Sequence, residues 1–112
     1  MLMSITVNIY YTGDGDKAIG FAREMEQSGT AGLIRAEEGN LRYEYFIPMN
    51  DPHTVLLIDS WTDQAAIDRH HASPMMSKIS ALREKYGLHM KVERFTEDES
   101  GLPEQDKRFI KE

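Results

Sequence analysis

Apolar and polar residues alternate from Ser4 to Tyr11, with Ile5, Val7, Ile9 and Tyr11 on one face and Thr6, Asn8 and Tyr10 on the other. A period of two predicts a strand. The turn-forming run Thr12-Gly13-Asp14-Gly15-Asp16 follows, after which Ala18, Phe21, Ala22 and Met25 recur at helical spacing. A helix from Asp16 to Ser28 is predicted there, with Gly29 placed to end it. Thr30 to Glu38 suits one short helical turn. Asn40 to Ile47 alternates again, with Leu41, Tyr43, Tyr45 and Ile47 on one face, and it stops at Pro48, which has no N–H for a ladder. Asn50-Asp51-Pro52 is turn chemistry, and His53 to Trp61 is β-branched and apolar enough to be a central strand.

Thr62 ahead of Asp63 and Gln64 reads as an N-cap opening a short helix through Ala66, Ile67 and His70 or His71. Ser73-Pro74 repeats the device, because Ser caps well and Pro is preorganised for the first helical position. Met75, Ile79, Leu82 and Tyr86 then form one apolar stripe that Gly87 ends, and Leu88 to Phe95 alternates as a fourth strand. The order strand, helix, strand, strand, helix pair, strand predicts an α+β, ferredoxin-like split βαβ plan. Its four-stranded antiparallel sheet would set the first and third strands side by side, with the helices on one face. The other face is left uncovered, and a second copy of the chain would cover it, so a homodimer is expected. Residues 1–96 are read as the domain. Residues 97–112, with six acids against three bases, are read as a charged tail that is either frayed or docked on a partner subunit through Leu102, Phe109 and Ile110.

A chain of 112 residues has room for one core and one site. Its formal charge of −6, with scattered Lys and Arg, argues against binding nucleic acid, which needs clustered cations. The absence of cysteine excludes disulfides, thiolate metal sites and thiol nucleophiles, and suits the cytoplasm. No targeting segment is visible at the start, and the longest apolar run, Val55 to Ile58, is far short of the roughly 18 residues of a spanning helix, so no membrane partner is expected.

Three segments carry a resemblance: Glu37 to Tyr45 (EEGNLRYEY), Asp59 to Trp61 (DSW) and His70 to Met75 (HHASPM). In order and spacing they resemble the acid-x-Gly-x-x-x-Tyr, acid-x-Trp and His-x-x-Ser/Thr-Pro signatures of the antibiotic-biosynthesis-monooxygenase family. The resemblance implies a dimeric α/β barrel. It also implies one of several activities: cofactor-independent oxidation of a small aromatic or quinol substrate by dioxygen, haem degradation, or isomerisation of a phosphorylated signalling molecule; a dimer that binds a small molecule without catalysis stands beside them, because no single residue demands catalysis. The first is the leading expectation. An axial His is wanting near Ile79 and Ser80 for haem, and Arg42 is the only evident cation for a phosphate.

The expected catalytic residues are Asn8, Trp61 and His70, brought together in one pocket between sheet and helices. His70 matches the family His and titrates nearest neutrality, which suits a base. Trp61 matches the family Trp and would bound the cavity. Asn8 is an amide in an otherwise apolar strand, either satisfied structurally or aimed at a ligand, and it resembles a pocket-lining Asn of some relatives. Phe21, Tyr43, Met75 and Ile79 are the expected substrate-binding walls, with Met75 standing where some relatives carry a His. His71 points about 100° from His70, so the two are poorly placed to share a metal. No metal and no organic cofactor is expected.

Overall fold

The computed structural model describes residues 3–111. Strand β1 (Ile5–Thr12) is followed by helices α1 (Lys17–Gln27) and α2 (Thr30–Arg35). Strands β2 (Asn40–Phe46) and β3 (Thr54–Trp61) come next, then α3 (Gln64–His71), α4 (Met75–Lys85), β4 (His89–Thr96) and a four-residue α5 (Glu104–Lys107). The sheet order is β2-β3-β1-β4, and every neighbouring pair is antiparallel. This is the expected ferredoxin-like α+β plan, with β1 and β3 at the centre.

The alternation in β1 and β3 sets the two faces. Ile5, Val7, Ile9 and Tyr11 pair in register with Trp61, Asp59, Leu57 and Val55 on the helix side. The apolar stripe of α1 packs there: Ala18, Phe21, Ala22 and Met25 are all buried. Phe21 meets Tyr11 at 4.8 Å between ring centroids and the edge of Tyr45 at 6.2 Å. Burial of such a side chain contributes roughly 1.5 to 3 kcal/mol, enough to hold the helix on the sheet.

Three local expectations are corrected. Thr62 does not cap α3; Asp63 does, its carboxylate accepting from the Ala66 N–H at 2.9 Å. Ser73 does not cap α4, whose N-cap is Pro74; the Ser73 hydroxyl is buried without a hydrogen-bond partner. Leu41 does not join Tyr43 and Tyr45 on the core face. An irregularity in the β2–β3 register between Asn40 and Arg42 turns it outward, where it is 58% exposed.

The helices leave β4 bare. Met90, Val92 and Phe95 are exposed along this edge strand, and so are Leu102, Phe109 and Ile110 beyond it. No helix among the described residues is long and apolar enough to cross a membrane.

Candidate active site

The site begins with a close approach of two segments. Gly39 has φ +86°, a left-handed conformation that favours glycine, and a Cβ there would stand 2.5 Å from the Ala66 Cβ. Without that Cβ the turn between α2 and β2 lies directly on α3, fastened by the Thr62 N–H donating to the Gly39 carbonyl at 2.9 Å. Two residues earlier in the same turn, Glu37 then reaches the side chain of His70.

His70 lies on the buried side of α3 with Ala66 and Ile67, and is only 5% exposed. Its Nδ1–H donates to Glu37 Oε2 at 2.6 Å, so Nε2 is the ring nitrogen left for a ligand. The imidazole is stacked on the Trp61 indole, with centroids 4.8 Å apart and planes 29° apart. Burial lowers its pKa, and the Glu37 carboxylate works against that fall. The result is a neutral base whose protonated form has a counter-ion already in place.

A pocket of about 230 Å³ opens beside this pair, lined by Val7, Asp59, Trp61, Ile67, His70 and Arg94 among others. Asp59 is buried at the centre of the sheet, between Val7 and Tyr43 in the register, and its Oδ1 has no hydrogen-bond partner. Burial pushes its pKa up to about 7; the Trp61 indole N–H opposes the rise and the Glu37 charge adds to it. At the other wall Arg94 of the edge strand donates to Gln64 at 2.5 Å.

The structure brings together two of the three expected catalytic residues, Trp61 and His70, and separates the third. Asn8 follows Val7 in β1, so its side chain points to the opposite face of the sheet, in register with Ile58 and Glu93. Its Oδ1 is buried there without a partner. The polar oddity of Asn8 is real, but it belongs to the uncovered face and not to this pocket.

The four expected substrate walls do not line the pocket either. Phe21, Tyr43 and Ile79 are at most 2% exposed and form the core, and the half-buried Met75 packs against it. Tyr43 and Tyr45 share a 3.1 Å hydroxyl contact, and burial raises both phenols well above their usual range, so neither is a base near neutrality. Tyr11 accepts from Arg83 Nη2 at 2.8 Å, which occupies that guanidinium. His71 stands 5.8 Å from His70 between ring centroids. Among the described residues no group of three or more His, Asp or Glu converges as a metal site.

Glu37, bonded to His70, and Asp59, on the pocket wall, are neighbours of the expected site residues that local spacing does not single out, although both stand in the segments that carry the resemblance. The signal for Asp59 is the one that marks Asn8: a polar group inside an apolar central strand needs a partner.

Comparison with known proteins agrees with this fold. The family model described as antibiotic biosynthesis monooxygenase matches residues 4–82, a span containing Glu37, Asp59, Trp61 and His70. No curated protein matches the chain in sequence. A solved protein of Pseudomonas aeruginosa is 25% identical, with a TM-score of 0.73 over 88% of this chain and 97% of its own. SnoaB, a cofactor-independent oxygenase from Streptomyces nogalater, is 22% identical, with a TM-score of 0.72 over 91% of this chain and 99% of its own. A conserved protein from Methanosarcina mazei Go1 gives 0.74 at 16% identity, over 87% and 95%.

Proposed function

Because the chain belongs to the antibiotic biosynthesis monooxygenase family, we propose that it is a cofactor-independent monooxygenase that oxidises a small aromatic or quinol substrate with dioxygen. The observation that carries this reading is His70: a buried imidazole, held at Nδ1 by Glu37 and stacked on Trp61, on the wall of a pocket. The cofactor-independent oxygenase SnoaB shares the fold, which favours the same economy of means.

In this reading His70 Nε2 takes the proton of a ring hydroxyl, and Glu37 stabilises the imidazolium that forms. The electron-rich anion passes one electron to dioxygen, leaving a substrate radical beside superoxide. Their recombination makes a carbon–oxygen bond, and the proton held by His70 completes a hydroperoxide. Loss of water breaks the O–O bond, so one oxygen atom stays on the ring and the other leaves as water. A hydroquinone plus dioxygen thus becomes a hydroxyquinone plus water, with the substrate itself as the reductant. Trp61 and Ile67 wall the pocket and keep water from the radical pair.

A homodimer and a cytoplasmic location belong to the same reading. The uncovered sheet face carries Phe46, Leu56, Ile58 and Phe95, and the orphaned Asn8 oxygen lies among them. A second copy would cover the apolar surface and could supply a donor to that oxygen. The domain is taken to end with β4, leaving residues 97–112 as an appended tail.

The test is oxygen uptake with a panel of hydroquinones by the purified protein and by His70→Ala. Turnover that falls about 100-fold to 10,000-fold in the variant supports the base assignment. No uptake with any hydroquinone, or an unchanged variant, would sink it.

A further inference from the structure

The pocket holds a second polar group that the proposed base does not use. Asp59 is 7% exposed, its Oδ1 is sealed from solvent with no hydrogen-bond partner, and it lines the same pocket as His70. We propose that Asp59 is a substrate-contacting residue, donating a hydrogen bond from its carboxyl group to an acceptor oxygen on the ligand while His70 accepts from the ligand's hydroxyl. This rests on the reading of the pocket as an active site and goes further by fixing the ligand's polarity. The ligand needs a hydroxyl at one position of a flat ring system and a carbonyl or second hydroxyl oxygen at another.

Burial sets Asp59 towards the role of a donor, against the Trp61 indole N–H that favours its carboxylate. A buried carboxylate needs a bonded cation, and among the described residues none is salt-bridged to it. Arg83 of α4 is hydrogen-bonded to the Tyr11 hydroxyl and favours the Asp59 carboxylate only through its charge, by less than burial opposes it; Arg94 of β4 is bonded to Gln64. From the α2–β2 turn Glu37 faces it with negative charge; from α3 the side facing the pocket is His70, kept neutral by burial, and His71. Burial accordingly pushes the Asp59 pKa up to about 7, which keeps much of the group protonated near neutrality. A protonated carboxyl carries one O–H donor, and nothing in the protein accepts it at Oδ1.

Three bicyclic probes that are not hydroquinones separate binding from oxygen chemistry: 6-hydroxy-1-tetralone, 1-tetralone without the hydroxyl, and 5,6,7,8-tetrahydro-2-naphthol without the carbonyl. Calorimetry should find the hydroxytetralone bound roughly tenfold more tightly than the tetrahydronaphthol, since one well-made hydrogen bond is worth about that factor. Asp59→Leu should erase that carbonyl preference while the preference for the hydroxyl, set by His70, remains. The pH profile supplies a check that a merely structural Asp59 would not move. 1-Tetralone does not titrate, so above pH 6.5 or so its affinity for the native protein should decline as pH rises through about 7, where Asp59 loses its proton. Asp59→Asn keeps an N–H donor at every pH and should bind 1-tetralone with a flat profile. The proposal is overturned if Asp59→Leu keeps the tenfold preference, or if Asp59→Asn declines with pH as the native protein does; should the Leu variant not fold, the Asn comparison decides alone. None of the probes reduces dioxygen, so this outcome stands or falls apart from the oxygenase reading.

Discussion

Nδ1 of His70 stands 2.6 Å from Oε2 of Glu37, a contact between residues 33 positions apart in the chain. The carboxylate fixes the ring's tautomer, and it would favour the imidazolium that the proposed proton abstraction creates. Glu37→Gln should keep an acceptor but lose the charge. We expect kcat/KM for a hydroquinone to fall about 10-fold to 100-fold, as when an orienting partner is removed. The sign of the pH effect follows from the same contact. Glu37 raises the His70 pKa against the lowering by burial, so its loss should lower that pKa further and move the acid limb of kcat/KM to lower pH. An acid limb that stays in place would show that Glu37 does not act through His70.

Gly39 makes that contact possible. Gly39→Ala would combine a left-handed backbone with a Cβ 2.5 Å from the Ala66 Cβ, and should destabilise the fold by roughly 1 to 3 kcal/mol. Gly32, inside α2 with open space around its Cβ position, is the control: Gly32→Ala should stabilise by about 0.5 to 1 kcal/mol. Thermal denaturation of the two variants should move Tm in opposite directions, and equal shifts would contradict the close approach.

Asp59 makes stability depend on pH in an uncommon direction. Its folded pKa is raised to about 7 from the usual carboxylate value of 3.8, so between those values the folded state holds a proton that the unfolded chain has released. Stability from this group is therefore lost as pH rises from about 4 through about 7. Asp59→Asn, which carries no charge to bury, should be more stable than the native protein at pH 8 by roughly 1 to 3 kcal/mol, with the gap closing toward pH 4. Chemical denaturation at the two pH values measures it. A gap that widens on acidification would place Asp59 among ordinary paired carboxylates.

Much of this architecture is legible in the sequence because its periods are clean. The alternation in Ile5 to Tyr11 and the stripe Ala18, Phe21, Ala22, Met25 each admit one burial pattern, and the order of elements then leaves one sheet topology. The site is legible only in part. Trp61 and His70 are found through their family-matched positions, and both line the pocket. Asn8 misleads because an amide in an apolar strand announces an unmet need without saying on which face the need arises; one residue of alternation decides that. Asp59 issues the same signal from the correct face. Glu37 is hidden differently: its role depends on Gly39 letting a turn lie on α3, a tertiary contact that local spacing does not encode. Phe21, Tyr43 and Ile79 are apolar enough to wall a ligand and equally suited to the core, where packing against the helices places them.

The uncovered sheet face yields a prediction about assembly. Light scattering at micromolar concentration should give twice the 12.9 kDa chain mass, and Ile58→Asp, which puts a charge among Phe46, Leu56 and Phe95, should give the monomer. Breaking such a face costs several kcal/mol of association, enough to shift the equilibrium fully at that concentration. A native protein that scatters as a monomer would leave the apolar face needing another partner.

In the proposed reaction His70 initiates insertion of one atom of dioxygen into an aromatic substrate, with the substrate as reductant. Isotope-labelled dioxygen follows both of its atoms, with a hydroquinone that the protein turns over and with product and water analysed by mass spectrometry. One labelled oxygen is expected in the hydroxyquinone and one in water, at a rate that His70→Ala lowers about 100-fold or more while remaining folded. Product oxygen drawn from unlabelled water, or labelled product formed equally fast by the variant, would contradict it.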